Sequence, residues 1–286
     1  MPMFTVVTES FNQGEYLERA IQSVITQQGA TFEYIVVDPG STDGSRGIIE
    51  RYRHYFSHVL LEPDGGPSEG LNRALALAKG EYFLCLNADD EIAPNMLREA
   101  QAHLAKEPVD VLYGNGIAID RNGRILRRIY SDAQVTPDLY ARGLGTIIEQ
   151  AALVKIAAIR RVGGFNLANR TCWDGELFFD IARRGGRFKR VWHNWGRFRI
   201  YPASISGSGR RAEQNRRDRE RIRRQLGRNY DAPIERLYTL CLWLMLRICD
   251  WRRWPSYLEG RFRPFEAASR MQSPKPSPSK HPTSAA

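Results

Sequence analysis

Asp89 and Asp90 stand side by side after residues 82–86, a short apolar, aromatic-rich run that reads as a strand buried on both faces. In open α/β sheets ligands sit beyond the carboxyl ends of the strands, so two acids there suit a divalent cation holding phosphate oxygens. Mg²⁺ and Mn²⁺ take one or two carboxylates together with substrate phosphates rather than an all-protein cage. The same pair also fits a chain turn before the helix that starts near Pro94, where Asp is common. Acids recur at comparable places: Asp38 follows apolar residues 34–37, Asp43 lies in the turn 39–45, and Asp64 lies in Glu62-Pro-Asp-Gly-Gly-Pro67. Further on, Asp174 and Glu176 fall two positions apart.

The elements that must position these acids alternate. Apolar runs at 4–8, 34–37, 59–61 and 82–86 read as strands, each followed by a loop and a helix. The first helix carries Tyr16, Leu17, Ala20, Ile21, Val24 and Ile25 on one face, and Asn12 with Glu15 predicts a capping box at its start. Ser68 is expected to cap the third helix and Gly80 to stop it. Four strands separated by helices imply a parallel sheet with right-handed crossovers.

The chain has 286 residues, 42% of them apolar, enough for one large α/β domain and an appendage. A formal charge of +10 favours acidic partners, and the basic residues concentrate at 183–199 and 210–228. Cys85, Cys172, Cys241 and Cys249 show no paired spacing, which fits a reducing compartment. The opening residues lack the layout of a signal peptide, so a cytoplasmic protein is expected. Residues 210–228 read as a solvated basic helix. Residues 237–248 are apolar nearly all round for about 18 Å of helix, too short for a hydrocarbon core of about 30 Å. With Arg228, Arg236, Arg247, Arg252, Arg253, Trp251 and Trp254 around it, that segment suits either an anionic membrane surface on the inner face or docking on the domain or a second copy. From residue 269 onward the chain is Pro/Ser/Lys-rich and reads as a disordered tail.

Val-Val-Asp38-Pro-Gly-Ser41-Thr-Asp43-Gly-Ser45, Glu62-Pro-Asp64-Gly-Gly, Gly70-Leu-Asn72-Arg-Ala74 and Leu86-Asn-Ala-Asp89-Asp90, in this order, resemble a family 2 glycosyltransferase of GT-A fold. Downstream, Glu149-Gln150-Ala151, Val162-Gly-Gly-Phe165-Asn and Trp173-Asp174-Gly-Glu176-Leu177 are similar to its acceptor-side and catalytic-acid segments, carrying the match to about residue 206. The resemblance implies a mostly parallel Rossmann-like sheet flanked by helices. It divides the chain into a catalytic domain at 1–208, with a nucleotide-sugar half at 1–100 and an acceptor half at 101–208. A helical appendage at 209–268 and the tail at 269–286 follow.

It further implies an inverting transfer from a UDP-, GDP- or dTDP-sugar to a glycan or lipid-linked hydroxyl acceptor, in polysaccharide or glycoconjugate synthesis, with Mg²⁺ or Mn²⁺ as cofactor. Asp38 occupies the position of the family's base-binding acid, flanked by Thr8 and Phe11, and Ser41, Asp43, Asp64, Asn72, Asn87 and Ala88 complete the expected donor site. Asp89 matches the metal-contacting acid and Asp90 a partial substitute, because Asn87 stands where the family usually has a first acid. Asp174 is the expected general base, with Glu176 as its alternative. Gln150, Trp173 and Arg199 are expected on the acceptor side, Trp173 as a sugar-stacking ring and Arg199, Arg210 or Arg211 as positive charge. Tyr201 stands where a metal- or phosphate-binding His is common, and His193 reads as structural or exposed.

Two other readings make different demands. A sugar-phosphate nucleotidyltransferase would carry a Gly-rich, cation-bearing loop after the first strand, and residues 9–14 contain no cation. A non-catalytic basic protein docked on nucleic acid or membrane would have no use for acids at strand ends, and no nucleic-acid motif is visible.

Overall fold

The structure, a computed structural model, describes residues 3–202, 204 and 211–250. The expectations for Arg210, Trp251, Arg252, Arg253, Trp254 and the tail lie outside these residues.

β1 (Phe4–Glu9), β2 (Phe32–Val37), β3 (His58–Leu60) and β4 (Tyr82–Asn87) pair in parallel in the order β3-β2-β1-β4, as the alternation predicts. They are apolar at successive positions because both faces are covered. Val6, Val36 and Leu84 belong to one core with α1 (Gly14–Ile25) and α4 (Met96–Lys106). Val7, Ile35 and Cys85 belong to the other, with α3 (Pro67–Leu77), α6 (Ile156–Val162) and α7 (Trp173–Arg183). α2 (Ser45–Arg51) and α5 (Pro137–Ala141) are shorter.

The second half extends the sheet and reverses its sense. β8 (Ala152–Lys155) pairs antiparallel with β4 and with β6 (Val111–Ile119), and β6 runs parallel to the long β9 (Phe188–Arg199). β5 (Glu91–Ile92) closes on β9 and β7 (Ile125–Ile129) on β6. The change of direction at β4 and β8 leaves a crevice beyond the carboxyl end of β4, bordered by the 3-10 turn Glu149–Ala151.

Two expected caps are corrected. Gln13, not Asn12, precedes α1, and Asn12 takes a left-handed backbone with φ 54°. Its Oδ1 accepts from the Thr42 amide and its own amide donates to Ser41 Oγ, so Asn12 ties together the loops after β1 and β2. Ser68 lies inside α3, which starts at Pro67, and its hydroxyl donates to the Asn169 carbonyl. At Gly70 the chain passes close to the acids, where a Cβ would sit 2.8 Å from Asp64 Oδ2 and 3.1 Å from Glu9 Oε1 and these carboxylates would have to shift.

α8 (Ala212–Arg224) is not the free solvated helix its charges suggest. Ile222 packs on Cys172 and Phe179, and the buried Asp218 accepts from the Arg170 amide and the Thr171 hydroxyl. Arg221 forks onto Glu176 at 2.5 and 2.6 Å, a bidentate geometry that fixes α8 to α7. α9 (Pro233–Cys249) follows. Among the described residues no helix is long and apolar enough to cross a membrane. Glu176→Ala should cost about 2–4 kcal/mol in urea unfolding, because it leaves the Arg221 guanidinium and two asparagine amides without their acceptor. An unchanged midpoint would show that α8 is not held by this pair.

Candidate active site

The donor end is built where β1 and β2 stop. Asp38 is fully buried, and its Oδ1 accepts from the amides of Gly40 and Ser41 and from Arg46 Nε. Its other oxygen, Oδ2, has no hydrogen-bond partner among the described residues, and the same is true of Glu9 Oε2 at the end of β1 and Ser10 Oγ just after it. Buried polar atoms are almost always paired, so three orphans beside one strand end suit a polar ligand. Glu9 is pushed well above the usual carboxylate range, by burial first and then by Glu149 and Asp64. Phe11 is 60% exposed beside these atoms and leaves a flat apolar face free.

Beyond β4 the two neighbouring acids have separate roles. Asp90 is buried, with Oδ1 accepting from the Arg199 amide and Oδ2 from Gln150 and Asn87. It is a strut between β4 and β9, which corrects its expected place as a metal ligand. Arg199 is equally committed: it donates to the carbonyls of Asp89, Asp120 and Arg121, pairs with Glu91 at 2.5 Å and stacks over Tyr16. It therefore cannot serve as the free cation expected of it. Asp89 is half-buried and faces the crevice, with Oδ2 accepting from the Tyr201 hydroxyl at 3.0 Å. Burial raises its pKa, as it does for a carboxylate short of positive partners. No cluster of three His, Cys, Asp or Glu side chains able to hold a metal occurs among the described residues. One open acid with an adjacent amide at Asn87 still fits an ion that takes most of its ligands from phosphate and water.

Asp174, in the first turn of α7, lines the same crevice, and its pKa is raised by burial. Between Asp174 and β4 lies Glu149, whose Oε1 accepts from the Trp173 indole at 3.1 Å and Oε2 from Asn87 at 3.2 Å. Burial, then the charge of Asp174, pushes Glu149 up to about 8. Trp173 is only 7% exposed, so its ring is core and its indole N–H a tether, not a sugar platform. Glu176 is buried under Arg221, Asn166 and Asn169 and does not reach the cleft, which removes it as an alternative base.

Asp89, Asn87, Glu149 and Asp174 line one cleft of about 1290 Å³ together with Phe11, Asp43, Asp64 and Gln150. Other expected donor residues face elsewhere. Thr8 shares a hydrogen bond with the buried Tyr34 hydroxyl, on the α1 side of the sheet. Asn72 exchanges two hydrogen bonds with the Phe165 backbone, and Ser41 accepts from the Asn12 amide. Ala88 is buried and donates its amide to the Glu9 carbonyl. Asp43 reaches the cleft but also accepts from Gly14 and Ser45, bracing the starts of α1 and α2. Glu9 and Arg219 were not legible as site residues, and Glu149 was legible only as part of an acceptor-side motif, because their neighbours come from remote segments. Arg219 and Arg211 bring the appendage into the cleft wall.

The family model described as glycosyl transferase family 2 matches residues 5–151, 147 of the 286 residues. The chain belongs to this family. It is 30% identical over 192 residues to the uncharacterized glycosyltransferase Rv1514c of Mycobacterium tuberculosis, covering 63% of this chain and 69% of that one. With glycosyltransferase GlyG of Streptococcus pneumoniae it shares 30% identity over 116 residues, 40% of this chain and only 38% of that one. The putative teichuronic acid biosynthesis glycosyltransferase TuaG of Bacillus subtilis is 37% identical over 93 residues, 32% of this chain and 37% of its own length. Among solved structures, Staphylococcus aureus TarS 1-349 in complex with UDP-GlcNAc superposes with a TM-score of 0.59 at 23% identity, over 72% of this chain and 60% of TarS. The mannosyltransferase PcManGT of Pyrobaculum calidifontis, in complex with GDP-Man and Mn²⁺, gives 0.53 at 22% identity, over 67% of this chain and 55% of that one. These two likenesses establish the GT-A fold.

In this family 2 chain the acid-lined cleft makes stability depend on pH in a defined direction. Glu149 ionises near pH 4.5 in the unfolded chain and only at about 8 in the folded one. The folded state therefore holds a proton that the unfolded state has lost, and stability present below pH 4.5 is given up as pH rises towards 8. Glu149→Gln should flatten the fall in urea midpoint between pH 5 and pH 8, and identical slopes for both proteins would rule out Glu149 as its source.

Proposed function

We propose that this chain transfers a sugar, with inversion, from a nucleoside-diphosphate sugar to the hydroxyl of a glycan or lipid-linked acceptor. The observation that carries the reading is that Asp89 and Asp174, 85 positions apart, line the same cleft. The exposed Phe11 ring on the cleft suits the base of the donor as a flat face, and the buried Asp38 Oδ2, without a partner among the described residues, suits it as hydrogen-bond acceptor. The fold partners support a nucleotide-sugar donor, since TarS is seen with UDP-GlcNAc and PcManGT with GDP-Man and Mn²⁺. The name of TuaG supports a role in surface polysaccharide synthesis.

Asp89 and Asn87 would hold Mg²⁺ or Mn²⁺, which when bound neutralises charge gathering on the departing diphosphate. Tyr201 holds Asp89 in place by donating to Oδ2. Asp174 accepts the proton of the acceptor hydroxyl as its oxygen bonds to the anomeric carbon, while the bond from that carbon to the diphosphate oxygen breaks on the far face. Attack opposite the leaving group inverts the centre. A pKa raised by burial makes Asp174 a stronger base than an exposed carboxylate. Burial and the charge of Asp174 favour the neutral form of Glu149, which limits the charge beside Asp174, and its Oε1 fixes Trp173, the residue before the base. Arg211 and Arg219 face the same space and suit the negative charge of the substrates.

Asp174→Asn should lower transfer by about 10²- to 10⁴-fold with nucleotide affinity intact. Asp89→Asn should weaken Mn²⁺-dependent nucleotide binding and turnover together. Calorimetry with nucleoside diphosphates, with and without Mn²⁺, checks both variants beside a donor-consumption assay. Equal losses of affinity in the two would refute the division of roles.

A further inference from the structure

α9 is mounted the wrong way round for a helix of a soluble domain. Its half-buried positions include Glu235, Thr239, Leu242 and Leu246, and Asp250 follows at the end of the helix. The polar members of this stripe bind the body: Arg142, itself buried, reaches Glu235 Oε2 at 2.7 Å and Thr239 Oγ1 at 2.8 Å, and Arg190 pairs with Asp250 at 2.7 Å. Facing out are Ile234, Leu237, Leu240, Leu244, Met245 and Ile248, each at least 46% exposed. At about 100° per residue these six fall in one arc of roughly 140°, centred opposite the seated stripe. Arg236 and Arg247 both fall on one flank of that arc. Ordinary amphipathic helices bury the apolar arc, and monomers seldom leave a continuous apolar surface of this kind bare.

We infer that the outward arc of α9 docks on an anionic bilayer surface, with the apolar side chains in the acyl boundary and the flanking arginines among the headgroups. Size argues against a second copy as the occupant. A helix of 17 residues is about 25 Å long and about 10 Å wide, a strip of roughly 250 Å², whereas a stable dimer takes about 800 Å² from each partner. A lone convex helix with arginine at its flank fits a lipid interface, where long basic side chains extend back to the phosphates. Charge argues for anionic lipid: the chain carries +10, and α8, which precedes α9, holds six arginines against three acids. The ion pairs of Arg142 and Arg190 on the seated side fix which face is offered. The inference is independent of the catalytic reading, because binding is measured without donor or acceptor.

The test is flotation of the full chain with vesicles of phosphatidylcholine alone or with about one third phosphatidylglycerol. The wild type should bind the anionic vesicles at least about 10-fold more tightly than the neutral ones, and Leu240→Glu/Leu244→Glu should lose at least about 10-fold. Both changes point outward, so the circular dichroism spectrum should be kept. A second measurement does not depend on that variant. Cys241 is exposed within the arc, and an environment-sensitive fluorophore on it in a Cys249→Ser background should shift to an apolar emission only with anionic vesicles. A wild type that stays unbound would overturn the inference, as would equal binding by the double variant. A dimer that the double variant splits, with no vesicle binding by either form, would assign the arc to a second copy instead.

Discussion

Among the described residues, carboxylates outnumber guanidinium groups eight to three along the cleft of a protein whose formal charge is +10. This imbalance is the constraint from which the arrangement of the site follows. Glu9, Asp64, Asp89, Asp90, Glu149 and Asp174 all have pKa values raised, with burial as the first cause in each case. So many acids cannot all ionise in a half-dry crevice, and the chain meets this in two ways. Some are satisfied internally, as Asp90 is by Arg199, Gln150 and Asn87. Others, as Glu149, retain a proton.

The outcome is a division of labour among neighbouring carboxylates. Asp89 and Asp90 are adjacent in sequence, yet Asp90 is a strut bonded to the Arg199 amide of β9, while Asp89 faces the crevice with the Tyr201 hydroxyl on its Oδ2. Asp174 and Glu176 divide in the same way on the first turn of α7. Residues two apart on a helix point about 200° from each other, so when one faces the cleft the other meets α8 and its Arg221. The spacing that made Glu176 look like an alternative base is the spacing that excludes it.

The alternation of strand and helix was legible, since it depends only on local periodicity, and so was the placing of Asp38, Asp89 and Asp174 at element ends, of which Asp89 and Asp174 line the cleft. Thr8 was misplaced by one residue of strand parity: the side chain that reaches the cleft belongs to Glu9, while Thr8 turns inward to Tyr34. Asn72 and Ser41 lie in the right motifs but spend their polar groups on Phe165 and Asn12, contacts about 30 to 90 residues away in sequence. Glu149 lies in a quoted motif as well, but its surroundings could not be read for the same reason. Its raised pKa exists only once Trp173, Asn87 and Asp174 surround it.

The appendage shows how far such remote partners can redirect a local pattern. Read alone, α8 is a solvated helix and α9 an apolar one, but both are positioned by ion pairs with the body. Arg221 brings α8 onto α7, and with that comes Arg219, placed on the same cleft as Asp174. Arg223 donates to the carbonyl of Ala141, the residue before Arg142, and Arg142 in turn holds Glu235 of α9. One short segment, 138–142, therefore ties the wall of the cleft to the seat of the outward apolar arc. Because these tethers are charged and partly buried, they fix orientation more than they add stability. That is what the arrangement requires: the base helix, the arginines beside it and the apolar face beyond them keep one relative placement.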